Sequence, residues 1–160
     1  MFEKIAIIGT IGAGLAIGLL WPGANHGPAA RTGSGAADTV IARSSDLHYY
    51  ADASVNGRQV HFMIDTGASD IALTEADAKA AGVSFDPDKY EVIGDGASGM
   101  VRGQYVQLKT LELGGLRQQD VKAVVVPGAS VSLLGQPFLD NIDEIVIRDG
   151  EMRLKEGAAS

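Results

Sequence analysis

The chain has no cysteine in 160 residues, which excludes disulfide staples, thiolate metal ligands and a cysteine nucleophile. Such a chain works equally well in an oxidising or a reducing space. Histidine is scarce as well: His26, His48 and His61 are the full set, and they lack metal-ligand spacing. With no histidine at a motif position, Ser69 has no base to make it a nucleophile. Positive charge is thin, with 13 scattered Lys and Arg residues against 20 Asp and Glu and a formal net charge of −7. That balance offers no basic face to a phosphate backbone, so no nucleic-acid partner is expected. Asp86, Asp88 and Asp95 do not form a calcium loop closed by a bidentate glutamate. The glycines of residues 9–14 have no preceding strand and no following lysine, so they do not form a nucleotide loop. Neither metal nor cofactor is expected, and the length holds one ordinary domain.

Charge is absent altogether from residues 5–21. At about 1.5 Å per helical residue this stretch approaches the roughly 30 Å hydrocarbon core of a bilayer, and residues 1–21 are expected to form a transmembrane anchor. Gly9, Gly12, Gly14 and Gly18 are tolerated in such a helix because unmet backbone groups would cost far more in lipid than poor propensity does. Trp21 sits where an interfacial ring belongs. A cleaved secretory signal, with Ala29-Ala30 nearby, and a buried soluble helix are the alternatives. Glu3 offsets Lys4, so charge specifies orientation weakly. Residues 22–46, rich in Gly, Ala, Ser and Pro without apolar periodicity, are expected to be a flexible linker. Three acidic and three basic residues precede residue 47, so the whole net charge falls beyond it. That charge favours solubility and leaves membrane attachment to the apolar N-terminus.

The remainder is a succession of short strands. Residues 48–55 and 59–64 flank Asn56-Gly57, a pair suited to the left-handed positions of a two-residue hairpin turn. Residues 71–73 form a short apolar strand, and Thr74 caps a helix to about residue 81, with Asp77 three positions on and Gly82 closing it. Residues 92–93 and 101–106 surround Gly94, Asp95, Gly96, Ala97, Ser98 and Gly99, a hairpin with a mobile tip that could cover a cleft. Strands follow at 108–113, 121–126 and 131–134, then a short helix near 137–139 and a last hairpin turning at Asp149-Gly150. The expected class is mainly β with two short helices, because no repeated alternation of strand and long helix supports a doubly wound sheet.

The chemistry concentrates in Phe62-Met63-Ile64-Asp65-Thr66-Gly67-Ala68-Ser69, where an apolar strand delivers one carboxylate into a tight loop of small residues. Asp65-Thr66-Gly67-Ala68-Ser69 resembles the active-site signature of aspartic proteases, and its context resembles the retropepsin-like, single-domain, membrane-tethered bacterial type. Leu133-Leu134-Gly135-Gln136-Pro137-Phe138-Leu139 is similar to the second signature of that family. A glycine-rich hairpin lies between the two, as the family has it, so the resemblance covers about residues 47–156, with 157–160 a disordered tail. It implies a closed retropepsin-like β barrel and an aspartic endopeptidase acting on extended polypeptide segments, with Asp65 as the catalytic carboxylate.

Two carboxyls sharing one proton can activate water and protonate a carbonyl oxygen together. Asp95-Gly96 and Asp149-Gly150 lack the intervening hydroxyl residue, so the chain carries one signature only. The resemblance resolves this shortage through a homodimer in which Asp65 of each subunit meets across a two-fold axis. It further implies that Thr66 grips across subunits. Gly67 permits close approach and turns its amide toward Asp65, Ala68 faces substrate backbone, and Ser69 hydrogen-bonds the outer carboxylate oxygen. Leu133, Leu134 and Gly135 are expected to be structural, passing beneath the active loop. The hairpin tip departs from the expected Asn-Gly and threonine pattern, which bears on closure and specificity. Placement in a bacterial inner membrane as a single-pass protein with a periplasmic catalytic domain follows from the resemblance. The reading from another class is a catalytically silent, membrane-tethered β domain that binds peptides or proteins.

Overall fold

The structure, a computed structural model, describes residues 31–32, 39–96 and 99–155. The expected anchor, the tail and the tip residues Ala97 and Ser98 lie outside the described residues. Among the described residues no helix is long and apolar enough to cross a membrane.

Among the described residues, eleven strands and two short α-helices follow in chain order. β1 (Arg31–Thr32) and β2 (Thr39–Ala42) come first, then β3 (Tyr50–Val55), β4 (Arg58–Ile64), β5 (Ala72–Thr74) and α1 (Glu75–Ala80). β6 (Glu91–Gly96), β7 (Gly99–Leu113), β8 (Leu116–Val126), β9 (Ser132–Leu134), α2 (Gln136–Leu139), β10 (Glu144–Arg148) and β11 (Glu151–Lys155) follow. A single 3₁₀ turn, Pro87–Lys89, precedes β6.

Strands β3, β4, β9, β5, β8 and β7 pair in that order, and β3 returns to β7 through Ser54 opposite Glu112 and Val55 opposite Leu111. The sheet therefore closes into a six-stranded barrel, the expected mainly β class. Period-two patterning explains the interior: Ala51, Ala53 and Val55 of β3 are buried in alternation. Phe62, Ile71, Leu73, Leu108, Leu111, Leu134 and Phe138 fill the centre.

Turn chemistry sets the hairpins. Asn56 (φ 51°) and Gly57 (φ 83°) are both left-handed, as a tight two-residue turn requires. The Asn56 side chain also accepts from the Lys109 and Thr110 amides at 2.8 and 3.2 Å and donates to the Ala81 carbonyl at 3.3 Å. One turn residue thus joins β3, β7 and the end of α1. Thr74 caps α1 as expected, accepting from the Asp77 amide at 3.0 Å.

Two expectations fail. Residues 39–42 are not linker: they form β2, which pairs with β11 through Thr39 opposite Leu154 and Ile41 opposite Met152. Ile41 is only 1% exposed. Its short Thr-Val-Ile-Ala stretch acquires strand form from the partner it packs on rather than from its own pattern. β1, β2, β11 and β10 make a second, four-stranded sheet. The strands expected at 101–106 and 108–113 are one, β7, because Gln107 pairs opposite Lys122 and the ladder with β8 runs on without a break there.

Candidate active site

β4 runs parallel to β9, with Phe62 opposite Ser132, Met63 opposite Leu133 and Ile64 opposite Leu134. Both strands therefore end at the same place. β4 ends into Asp65 and β9 into Gly135, so the two sequence signatures meet where the strands stop. The Asp65 amide donates to the Leu134 carbonyl at 3.1 Å, and the Ala68 amide closes a turn onto the Asp65 carbonyl at 3.2 Å.

Within that turn the Gly67 N–H donates to Asp65 Oδ1 at 2.8 Å. A Cβ on Gly67 would stand 3.2 Å from the same oxygen, so any side chain would crowd the carboxylate. Asp65 is half-buried, Thr66 and Gly67 are exposed, and Ala68 is buried. Gly135 lies against the loop from behind: its Cβ would stand 2.6 Å from the Ala68 carbonyl oxygen and closer still to that of Asp70. Leu134 is buried, whereas Leu133 is half-buried and reaches the cleft beside the loop. No hydrogen bond joins Ser69 to Asp65 among the described residues. Ser69 follows the inward Ala68, turns outward and lines that cleft instead.

The β6–β7 hairpin stands over the cleft. Gly94 pairs with Val101, Asp95 with Met100 and Gly96 with Gly99, after a bulge between Val92 and Gly94. Ile93 and Val101 form its apolar roof, and Ala72, Val124 and Leu133 its floor. Gly103 makes this closeness possible, because a Cβ there would lie 2.7 Å from the Val125 carbonyl oxygen and 2.9 Å from Val124 Cγ2.

Three contributors lie beyond the residues expected from the sequence. The Gln136 side-chain amide donates to the Thr66 carbonyl at 2.6 Å, and its backbone N–H to Ala68 at 2.9 Å. Its neighbour Gly135 marks the motif, but nothing local reveals what the amide reaches. An isolated glycine within a strand pattern signals close backbone approach, and that signal was present for Gly103. Asp70 lines the cleft, with Oδ2 at 3.5 Å from the Tyr105 hydroxyl. Burial pushes the Tyr105 phenol pKa upward, and the Asp70 and Glu91 charges reinforce the shift. No second carboxylate hydrogen-bonds Asp65, and no cluster suited to a metal occurs, among the described residues.

The geometry offers an oriented carboxylate beside a roofed apolar cleft. The family described as "gag-polyprotein putative aspartyl protease" matches residues 51–141. The chain is 29% identical over 124 residues to an uncharacterized protein in a cobV 5′ region of Sinorhizobium sp, covering 76% of this chain and 53% of that protein. It is 38% identical over 104 residues to an uncharacterized protein of Rickettsia prowazekii (strain Madrid E), covering 64% of this chain and 45% of that one. The chain thus spans about half the length of these curated relatives. Among solved structures, a retropepsin-like aspartic protease from Rickettsia conorii superposes with a TM-score of 0.63 at 32% identity, covering 81% of this chain and 96% of that one.

Proposed function

The chain belongs to the family of retropepsin-like aspartyl proteases, and from that membership we propose that it is an aspartic endopeptidase acting as a homodimer on extended polypeptide segments. The observation that carries this reading is the Asp65 loop, whose carboxylate accepts the Gly67 N–H while the backbone is anchored on Leu134. A carboxylate fixed in this way is pre-oriented toward one reaction centre.

In the proposed reaction Asp65 of one subunit takes a proton from water, which attacks the scissile carbonyl carbon. The Asp65 carboxyl of the partner copy holds the shared proton and gives it to the carbonyl oxygen. The tetrahedral species then collapses: the C–N bond breaks, the leaving nitrogen takes the proton that Asp65 removed from water, and a hydroxyl of the diol returns its proton to the partner copy's carboxylate. Thr66, exposed beside Asp65, forms the grip between copies. Ala68 lies against substrate backbone, and the β6–β7 hairpin closes over the bound segment and excludes water.

We assign residues 1–21 to a membrane anchor, residues 22–30 to its tether and residues 31–156, from β1 onward, to the catalytic domain, with 157–160 as a tail. The proposed setting is a bacterial inner membrane with the catalytic domain in the periplasm. A topology reporter fused after residue 156 tests that placement, and cytoplasmic reporter activity would overturn it.

Incubation of the full chain in detergent with a peptide library should yield discrete cleavage products. The Asp65→Asn variant, which keeps the shape of the loop, should reduce cleavage at least about a thousandfold, as losses of essential catalytic groups do. Equal cleavage by that variant would sink the mechanism, and absence of cleavage by the wild-type chain would leave a peptide-binding β domain.

A further inference from the structure

The cleft beside Asp65 is mostly apolar, with Ser69, Asp70 and Ser130 as the polar residues of its lining. Ala72, Ile93, Val101 and Val124 surround it, and Asp70 is the one ionisable residue in its lining. A carboxylate in the wall of a mostly apolar cleft is poorly matched to its hydrocarbon neighbours. The Asp70 side chain is approached by the Tyr105 hydroxyl at 3.5 Å, at the outer limit of a hydrogen bond, and it forms no ion pair among the described residues. The Lys122 ammonium stands over the Tyr105 ring, 3.8 Å from its centroid. Glu91 adds a second negative charge on the Tyr105 side.

Resting on the peptidase reading above, we propose that Asp70 is a specificity-determining residue that selects a lysine or arginine side chain of the substrate. A long basic side chain is amphipathic: its methylene stem packs on apolar surface while its head seeks a polar partner. The stem would lie along Ala72, Ile93 and Val124, and the head would meet Asp70. An uncharged side chain of the same length would fill the cleft and leave the carboxylate unpaired. An acidic side chain would be repelled. Burial of the stem and pairing of the head thus act at opposite ends of one pocket, which is how a basic residue is separated from its norleucine isostere.

Two readouts test the assignment. Matched peptides differing only in lysine, norleucine or glutamate at one position are offered to the wild-type chain for cleavage. The same peptides, fluorescently labelled, are offered to the Asp65→Asn chain for binding. Lysine should exceed norleucine by about tenfold in both, the ratio expected of one charge-assisted contact. Asp70→Asn should collapse the ratio toward unity, and Asp70→Lys should invert it in favour of glutamate. Cleavage without any charge preference, or a preference that survives Asp70→Asn, overturns the Asp70 assignment and leaves the peptidase standing. Lysine-selective binding that depends on Asp70 without cleavage by wild type upholds the pocket and overturns the peptidase reading. Neither binding nor cleavage overturns both.

Discussion

At the scale of the residue, the site depends on atoms that are missing as much as on those present. Gly135 has backbone oxygens of Ala68 and Asp70 where a Cβ would go, and backbone cannot rotate aside as a side chain can. Gly135→Ala should therefore cost about 1–3 kcal/mol, the usual range for overpacking, read as a lowered denaturant midpoint. It should also reduce cleavage, because the displaced atoms belong to the Asp65 loop. A variant as stable and active as wild type would show that the two signatures do not bear on each other. This residue was legible in the sequence because a glycine between an apolar strand and a short helix has few other uses. Ser132 was not. It is fully buried, donates to Asp77 Oδ2 at 2.6 Å and accepts the Thr74 amide at 3.1 Å, so β9 is tied to the cap of α1. A serine in the run Val131-Ser132-Leu133 looks like an interruption of a strand, and only the approach of a helix cap from 58 positions away gives it meaning.

At the scale of the element, the turns and the short strands beside the Asp65 loop could be read, and β2 could not. Asn56-Gly57 and Asp149-Gly150 both hold left-handed φ values in the structure, and that demand is local, so composition reports it. β2 depends instead on β11, more than a hundred positions later, and its setting of Gly, Ala and Ser hides it. The consequence is measurable: Ile41→Ala should cost about 2–5 kcal/mol, as large-to-small changes in a packed core do. A chain cut to begin at residue 47 should melt at lower temperature than one beginning before β2. Equal melting would restore residues 39–46 to the linker. A second element-level link is Tyr90, whose hydroxyl donates to Glu75 Oε1 at 2.6 Å and joins the start of the hairpin to α1. Desolvation first, then the bond and the charge of Glu75, push its pKa from 10.0 up to about 12. Its raised value means that the unfolded chain loses the proton first. The contribution is full below the unfolded value of 10.0 and falls away as pH rises toward about 12. Alkaline titration followed by circular dichroism should show stability falling in that window, with a shallower fall for Tyr90→Phe. An unchanged slope in the variant would remove Tyr90 from the account.

At the scale of the whole molecule, one chain supplies one Asp65, and the proposed mechanism needs two. Each chain brings a net charge of −7, so pairing of copies is opposed at long range and favoured by salt, which screens charges beyond about 8 Å at physiological ionic strength. An anchored chain would offset the same repulsion by raising local concentration. Subunit mixing tests the pairing directly. Wild-type and Asp65→Asn chains are combined in equal amounts, dissociated by dilution and reconcentrated at fixed total protein. If a single chain were active, the mixture would retain about half the activity of undiluted wild type. If both carboxylates of a symmetric pair are required, random exchange leaves about one quarter of the pairs fully competent, and activity should fall to about one quarter. Asn keeps the shape of Asp, so mixed pairs keep the same interface, and the fraction of mixed pairs counted with a tagged Asp65→Asn chain sets the statistics. Activity near one half after demonstrated exchange would mean that one Asp65 suffices, and the two-fold mechanism would have to be abandoned for a catalytic acid drawn from within the same chain.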